Sequence, residues 1–208
     1  MWRTGTLIRE AARGAESEGA QVKVIDLYRL EHFTGCVSCF GCKLPGHEGK
    51  CAYKDGLAPV LEEIRGADGL IIGTPNYLGD ASAGFRALYE RLIFQYITYQ
   101  TEPRSYSSSR IPVLFIMTSN APKEMYTPEL YGRVVANYQQ TFGAFIGPTR
   151  VLISADTLQV RDYEKYDWTV FDAGAKRARR EAVFPKEEQE AFSLGAKMVA
   201  APWNEPEA

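Results

Sequence analysis

Apolar residues recur at helical spacing from the start of the chain. Leu7, Ile8, Ala11, Ala12 and Ala15 form one stripe, Arg9, Glu10 and Glu16 surround it, and Glu18-Gly19 stops it. The period then changes: Val22, Val24 and Ile25 sit in a short β-branched run ending at Asp26, which predicts a buried parallel strand. An irregular stretch from Tyr28 to Asp55 follows, after which Leu57, Val60, Leu61 and Ile64 restart the helical pattern as far as Ala67. The run GLIIGT, Gly69 to Thr74, predicts a fully buried strand. The turn PNYLGDASAG leads from it into a helix with Phe85, Leu88, Tyr89, Leu92, Ile93, Tyr96 and Ile97 on one face. Past a polar loop from Glu102 to Arg110, strands are expected over Val113 to Met117 and Arg150 to Ile153, with a helix from about Pro128 to Phe145 between them. The alternation is βαβαβ. It implies a parallel sheet covered by helices on both faces, with ligands bound beyond the carboxyl ends of the strands.

Residues Ser154 to Ala208 hold a loop and two helical patterns separated by Pro185, so one domain is expected over 1–208, with 154–208 a C-terminal helical extension. With 208 residues, 45% of them hydrophobic, the chain can bury one full α/β core. A net charge of -2 gives no general attraction to nucleic acid or an anionic membrane. Lys176, Arg177, Arg179 and Arg180 cluster on the first C-terminal helix, but with Glu181, Glu187 and Glu188 close by they read as a solvated helix face. The apolar run from Gly69 to Ile72 is far shorter than the roughly 20 residues a bilayer span needs. A cytoplasmic protein is expected, with small molecules or other proteins as partners.

Chemistry concentrates in two places. All four cysteines fall between Cys36 and Cys51, spaced Cys36-x2-Cys39-x2-Cys42-x8-Cys51, which makes one site and not a disulfide scaffold. Thiolates at that spacing can converge on one 4Fe-4S cubane. Reduced thiols packing the loop, or zinc with His47 as a further ligand, are the other readings. The second place is the turn after GLIIGT: Pro75, Asn76, Tyr77, Leu78 and Gly79 stand where an open α/β sheet holds its ligand, and a tyrosine there suits a flat aromatic ring. An ordinary strand-to-helix turn would carry the same residues.

Taken together, GCVSCFGCK, GKCAYKDGL and GADGLIIGTPNYLGDASAGFRALYERL resemble the flavodoxin-like NAD(P)H-dependent FMN reductases and their iron-sulfur flavoprotein relatives. The resemblance implies a three-layer α/β sandwich with a parallel sheet in the order 2-1-3-4-5, FMN as cofactor and NAD(P)H as electron donor. It lays Pro75, Asn76, Tyr77, Leu78 and Gly79 along the isoalloxazine ring with Asp80 beside them, and borders the flavin with Thr118, Ser119 and Asn120. It also assigns a 4Fe-4S cluster to Cys36, Cys39, Cys42 and Cys51, although the last gap is longer than usual. The family's phosphate loop resembles G-S-x-R-x-x-G-N-T. Arg3, Thr4, Gly5 and Thr6 match its end, and Met1 and Trp2 stand in place of its start. No strand precedes them, so the sequence is expected to begin after the fold's first strand and to bind flavin weakly.

The function expected is an FMN-dependent oxidoreductase passing electrons from NAD(P)H to a quinone, flavin or other small acceptor. One alternative is an electron carrier that pairs FMN with a 4Fe-4S cluster and exchanges electrons with ferredoxin. The other is a truncated binding protein without flavin. Phe94 and Tyr99 fall off the apolar stripe of their helix, which predicts an interface of a homodimer or homotetramer. The competing reading folds Tyr163, Tyr166, Trp168 and Phe171 back over them.

Overall fold

The computed structural model describes residues 3–203. In chain order these form helices and strands α1 (Arg3–Ser17), α2 (Ala58–Arg65), β1 (Leu70–Tyr77), β2 (Asp80–Ala81), α3 (Ala83–Phe94), β3 (Val113–Thr118), α4 (Tyr131–Phe145), β4 (Thr149–Ser154), α5 (Ala173–Ala182) and α6 (Phe184–Ala200). Every residue of β3 is buried, because the strand lies inside the sheet and is covered on both faces. It pairs in parallel with β1, from Leu70↔Val113 to Pro75↔Thr118, and with β4, from Val113↔Thr149 to Thr118↔Ser154.

Side chains of β3 alternate between two cores, as the twofold period of a strand requires. Val113, Phe115 and Met117 join Leu57, Phe85, Leu92, Tyr138 and Phe142 under α2, α3 and α4. Leu114 and Ile116 join Leu7, Ala11, Phe184 and Ala191 under α1 and α6. The result is the expected three-layer α/β arrangement. Of the segment beyond Ser154, α6 is part of the covering layer. A Cβ on Gly195 would stand 1.8 Å from the Ala11 carbonyl oxygen, and one on Gly14 would stand 1.9 Å from that of Phe192, so backbone meets backbone where α1 and α6 cross. The two C-terminal helical patterns are α5 and α6; the break between them falls at Val183, and Pro185 sits just past it in the first turn of α6, where its missing N–H costs nothing.

Three local expectations are corrected. Val22–Ile25 is not a strand: among the described residues no ladder reaches it, and Val24 is half exposed. In the order 2-1-3-4-5 that run pairs only with the first strand. Its N–H and C=O groups have no such neighbour among the described residues, and it is held by Ile25 packing on the core and by the Lys23–Glu63 ion pair. The sheet order β2-β1-β3-β4 therefore contains the 3-4-5 part of the expected sheet plus a short hairpin arm. Next, α3 ends at Phe94 and not at Tyr99: Tyr96 and Ile97 donate to carbonyls three residues back, and Tyr99 lies in the left-handed region at φ 60°. Lastly, a hairpin intervenes between GLIIGT and α3. No helix among the described residues is long and apolar enough to cross a membrane.

Candidate functional site

The hairpin after β1 pairs Asn76 with Ala81 and Tyr77 with Asp80, leaving Leu78 and Gly79 as its two-residue loop. Both have positive φ, 55° and 88°, the geometry that strands joined by two residues favour. Glycine adopts it freely; leucine does so under strain, and Leu78 is also fully exposed. The Asn76 Oδ1 accepts the Gly79 N–H at 3.0 Å and its amide donates to the Tyr126 hydroxyl at 3.4 Å, so Asn76 shapes the turn. Tyr77 is half exposed; partial burial, with Tyr28 nearby, pushes its phenol up from the ordinary value. The neighbouring Asp80 carboxylate accepts the Tyr138 hydroxyl at 2.7 Å and the Ala81 N–H at 2.7 Å, which ties it toward α4. Burial, with Arg86 and Asp80 at its hydroxyl, leaves the Tyr138 phenol pushed up to about 12.

The other flavin candidates meet this hairpin at the carboxyl edge of the sheet. Pro75 is the ladder partner of Thr118, and the Thr118 Oγ1 lies 2.6 Å from the Thr4 Oγ1. Arg3, Thr4, Gly5 and Thr6 form the first turn of α1 and not a loop; Met1 and Trp2, expected to replace the start of the phosphate loop, lie outside the described residues. A first helical turn presents N–H groups and positive dipole to an anion. Arg3 adds a guanidinium, pulled down from its ordinary value by burial and by nearby Arg180, while its Nε donates to the Leu158 carbonyl at 3.3 Å. Ser119 is buried and its hydroxyl is spent on the Ala121 carbonyl. Asn120 differs: its Oδ1 is a buried acceptor with no hydrogen-bond partner, which folded proteins rarely leave.

Sequence reasoning missed what holds that loop. Lys176 is buried and its ammonium donates to the Asn120 carbonyl at 2.7 Å and to Asp156, while Arg179 pairs with Glu187, whose Oε2 accepts the Ser154 hydroxyl at 2.6 Å. The basic cluster on α5 is thus not simply a solvated face; two of its members anchor the loops beyond β3 and β4. Of the acidic residues close by, Glu187 is a partner of the cluster and not a mark of solvation.

The cysteines form a second centre. Cys36, Cys39, Cys42 and Cys51 line one small cavity with Val37, Phe40, Ala52, Phe94, Arg91 and Gln95. The last three come from the carboxyl end of α3 and the residue after it, about 12 to 18 Å along the helix axis from its start beside the hairpin. Arg91 is 1% exposed. Its Nε donates to the Cys51 Sγ at 3.4 Å, its Nη1 to Asp55 at 2.6 Å and its Nη2 to the Tyr53 carbonyl at 2.8 Å. Burial pushes the Asp55 carboxyl up, but hydrogen bonds from Arg91, Thr34 and Leu57 outweigh it and leave it below the usual carboxylate value. The Lys43 ammonium donates to the carbonyls of Phe94, Gln95 and Ile97, capping α3 and clamping the loop to it. Burial raises the Cys42 thiol against the opposing pull of Lys43. His47 lies exposed in the adjoining turn. Among the described residues no three His, Cys, Asp or Glu side chains stand in single-ion geometry.

The donor set fits an iron-sulfur cluster: four thiols around one cavity, a buried cation, and a buried amide nitrogen of Gln95 without a partner. The hairpin edge fits a flavin on the evidence of the orphaned Asn120 oxygen and the strained, exposed Leu78. Comparison with known proteins bears on both. An iron-sulfur flavoprotein of Methanocaldococcus jannaschii is 36% identical over 88 residues, covering 42% of this chain and 44% of that protein. The chain spans less than half the length of the curated relatives it matches. An NAD(P)H:quinone oxidoreductase from Methanothermobacter marburgensis superposes with a TM-score of 0.57 at 12% identity, over 95% of this chain and 90% of that one. An azoreductase from Bacillus anthracis does so with a TM-score of 0.62 at 13% identity, over 95% and 92%. At such identities the likeness speaks for the fold, a flavodoxin-like α/β sandwich. The profile of the NADPH-dependent FMN reductases matches residues 3–141, from the first turn of α1 into α4, and the chain belongs to that family.

Proposed function

We propose that the chain is an FMN-dependent oxidoreductase, taking electrons from NAD(P)H and delivering them through bound FMN to a quinone, a free flavin or another small acceptor. The observation that carries this reading is the meeting of three elements at one sheet edge: the first turn of α1, the hairpin after β1 and the loop after β3, joined by the Thr4–Thr118 contact. When bound, the flavin supplies the hydride and electron chemistry, so the protein needs no general base of its own. The α1 turn with Arg3 would hold the phosphate, Asn120 would accept a hydrogen bond from the flavin, and Tyr77 and Leu78 would cover its ring. Tyr77→Ala is expected to weaken FMN binding about tenfold, the order of one lost aromatic contact. Because Tyr77 is half exposed, the melting temperature should hold. An FMN titration giving the parent's affinity would remove Tyr77 from the site, and a parent that binds no flavin would favour the binding-protein reading.

A second reading, an electron carrier coupling FMN to a 4Fe-4S cluster and to a protein donor such as ferredoxin, is favoured by the cavity that all four cysteines line. Iron and acid-labile sulfide in stoichiometric amounts would support it. Assembly as a homodimer or homotetramer belongs to either reading: Phe40 and Phe94 of the cysteine cavity make ring contacts with each other and with Tyr99, two of them T-shaped and one tilted, and Tyr99 is 69% exposed. Tyr163, Tyr166, Trp168 and Phe171 pack on one another and form none of these ring contacts. Light scattering is expected to give a multiple of the chain mass at micromolar concentration, reduced in Tyr99→Glu. A monomeric parent would exclude this assembly.

A further inference from the structure

We infer that the Gln95 side-chain amide is a hydrogen-bond donor to sulfur in an iron-sulfur cluster held by Cys36, Cys39, Cys42 and Cys51, and that it raises the cluster's reduction potential; this rests on the cluster reading above. Gln95 follows α3 and is 2% exposed. Its Oε1 accepts the Cys51 N–H at 3.1 Å, which fixes the plane of the amide. The Nε2 is buried, lacks any partner, and belongs to a residue lining the cavity of the four cysteines. Flipping the amide does not help, since it would turn Nε2 toward the Cys51 N–H, donor against donor. An unpaired buried donor costs about 1 to 3 kcal/mol, and methionine or leucine would fill the space without that cost.

What arrives must therefore be an acceptor. The other side chains around the cavity are the cysteine sulfurs, apolar groups, the Tyr53 ring and Arg91. Arg91 already directs its Nε at the Cys51 sulfur, so a charged donor stands at one of the four sulfurs, and the unpaired Gln95 amide nitrogen is the second donor among the residues lining the cavity. A reduced cluster is more negative than an oxidised one. Donors and a cation aimed at its sulfurs favour the reduced form, which is the direction of a raised potential.

The test uses the full chain reconstituted anaerobically with ferrous iron and sulfide. Iron and sulfide analysis comes first: a parent that assembles no cluster ends the cluster reading and this inference with it. In a dithionite titration at the poise where the parent cluster is half reduced, Gln95→Met and Gln95→Leu are expected to lower the reduced-to-oxidised ratio about tenfold, or about 59 mV for a one-electron couple. Parent protein labelled with nitrogen-15 at the glutamine amide should show coupling of that nitrogen to the reduced cluster in pulsed EPR, absent from labelled Gln95→Met. Cluster-loaded variants that titrate with the parent, or a parent without the coupling, overturn the assignment while leaving the cluster reading intact. If neither variant assembles a cluster, the coupling measured in the parent decides.

Discussion

Replacing Arg91 by alanine is expected to cost the fold about 3 to 5 kcal/mol, the range found when one partner of a buried ion pair is removed. The guanidinium is 1% exposed and its Asp55 partner 8%, and the variant leaves that carboxylate buried with only the Thr34 and Leu57 N–H groups to meet it. It also frees the Tyr53 carbonyl and withdraws the donor at the Cys51 sulfur, so the cysteine loop loses its hold on α3. Lysine is not a rescue, because an ammonium has three donors on one atom, whereas the planar fork of Arg91 reaches four groups: the Cys51 sulfur, the Asp55 carboxylate and the carbonyls of Tyr53 and Thr34. Urea unfolding of the apoprotein measures the loss, and faster thiol labelling of Cys42 would report the loop separately.

The pH dependence fixes the cause. Asp55 in the parent lies below its unfolded value, so its contribution is present above about pH 3.9 and is lost as the pH falls through the lower folded value. In Arg91→Ala the same carboxyl is desolvated without its cation, its folded value rises, and protonation then relieves the fold. The stability gap between parent and variant should therefore narrow on acidification. A gap that stays constant from neutral pH to pH 4 would show that lost packing, and not the stranded charge, is responsible.

How far the sequence foretold this molecule depends on the range of each interaction. β3 and β4, α1, α2 and the body of α3 follow from periodicity, because their apolar residues report directly on a buried face. The 75–79 turn was placed at the sheet edge by position alone, yet its closure into a hairpin was not visible: Leu78 is a poor residue for a left-handed turn, and local propensity argued against it. Val22–Ile25 has every local mark of a strand, but a strand exists only through its neighbour's hydrogen bonds. The cysteine spacing announced one site. Its supporting residues, Lys43, Arg91 and Gln95, look in sequence like one loop cation and the ordinary polar end of an amphipathic helix. Their roles arise from contacts 36 to 57 residues apart. One signal was available: Arg91 falls between Leu88 and Leu92 on the side of α3 that faces inward, where an arginine needs partners.

Gly195→Ala is expected to destabilise the protein by about 3 kcal/mol or more, at or beyond the upper end of ordinary overpacking. Helix propensity alone predicts the opposite sign, since alanine in a helix interior is favoured over glycine by about 1 kcal/mol. Geometry decides between them. The added methyl would stand 1.8 Å from the Ala11 carbonyl oxygen and 2.9 Å from its Cα, and neither is a flexible side chain that can swing aside. Relief requires α6 to move off α1, and the two helices share the core built on Leu7, Ala11, Leu114, Ile116, Phe184 and Ala191. The movement would reach the sheet edge as well, because α1 carries Thr4 against Thr118 and α6 carries Glu187 against Ser154. Flavin affinity should thus fall with stability, although Gly195 lies outside the proposed site. Gly66→Ala is the control: this residue caps α2 at φ -91°, and a methyl there meets nothing closer than 3.8 Å, so its effect should stay within about 1 kcal/mol. Thermal unfolding of the two variants beside the parent separates the cases. A Gly195→Ala protein as stable as the parent would mean that α1 and α6 do not cross backbone to backbone.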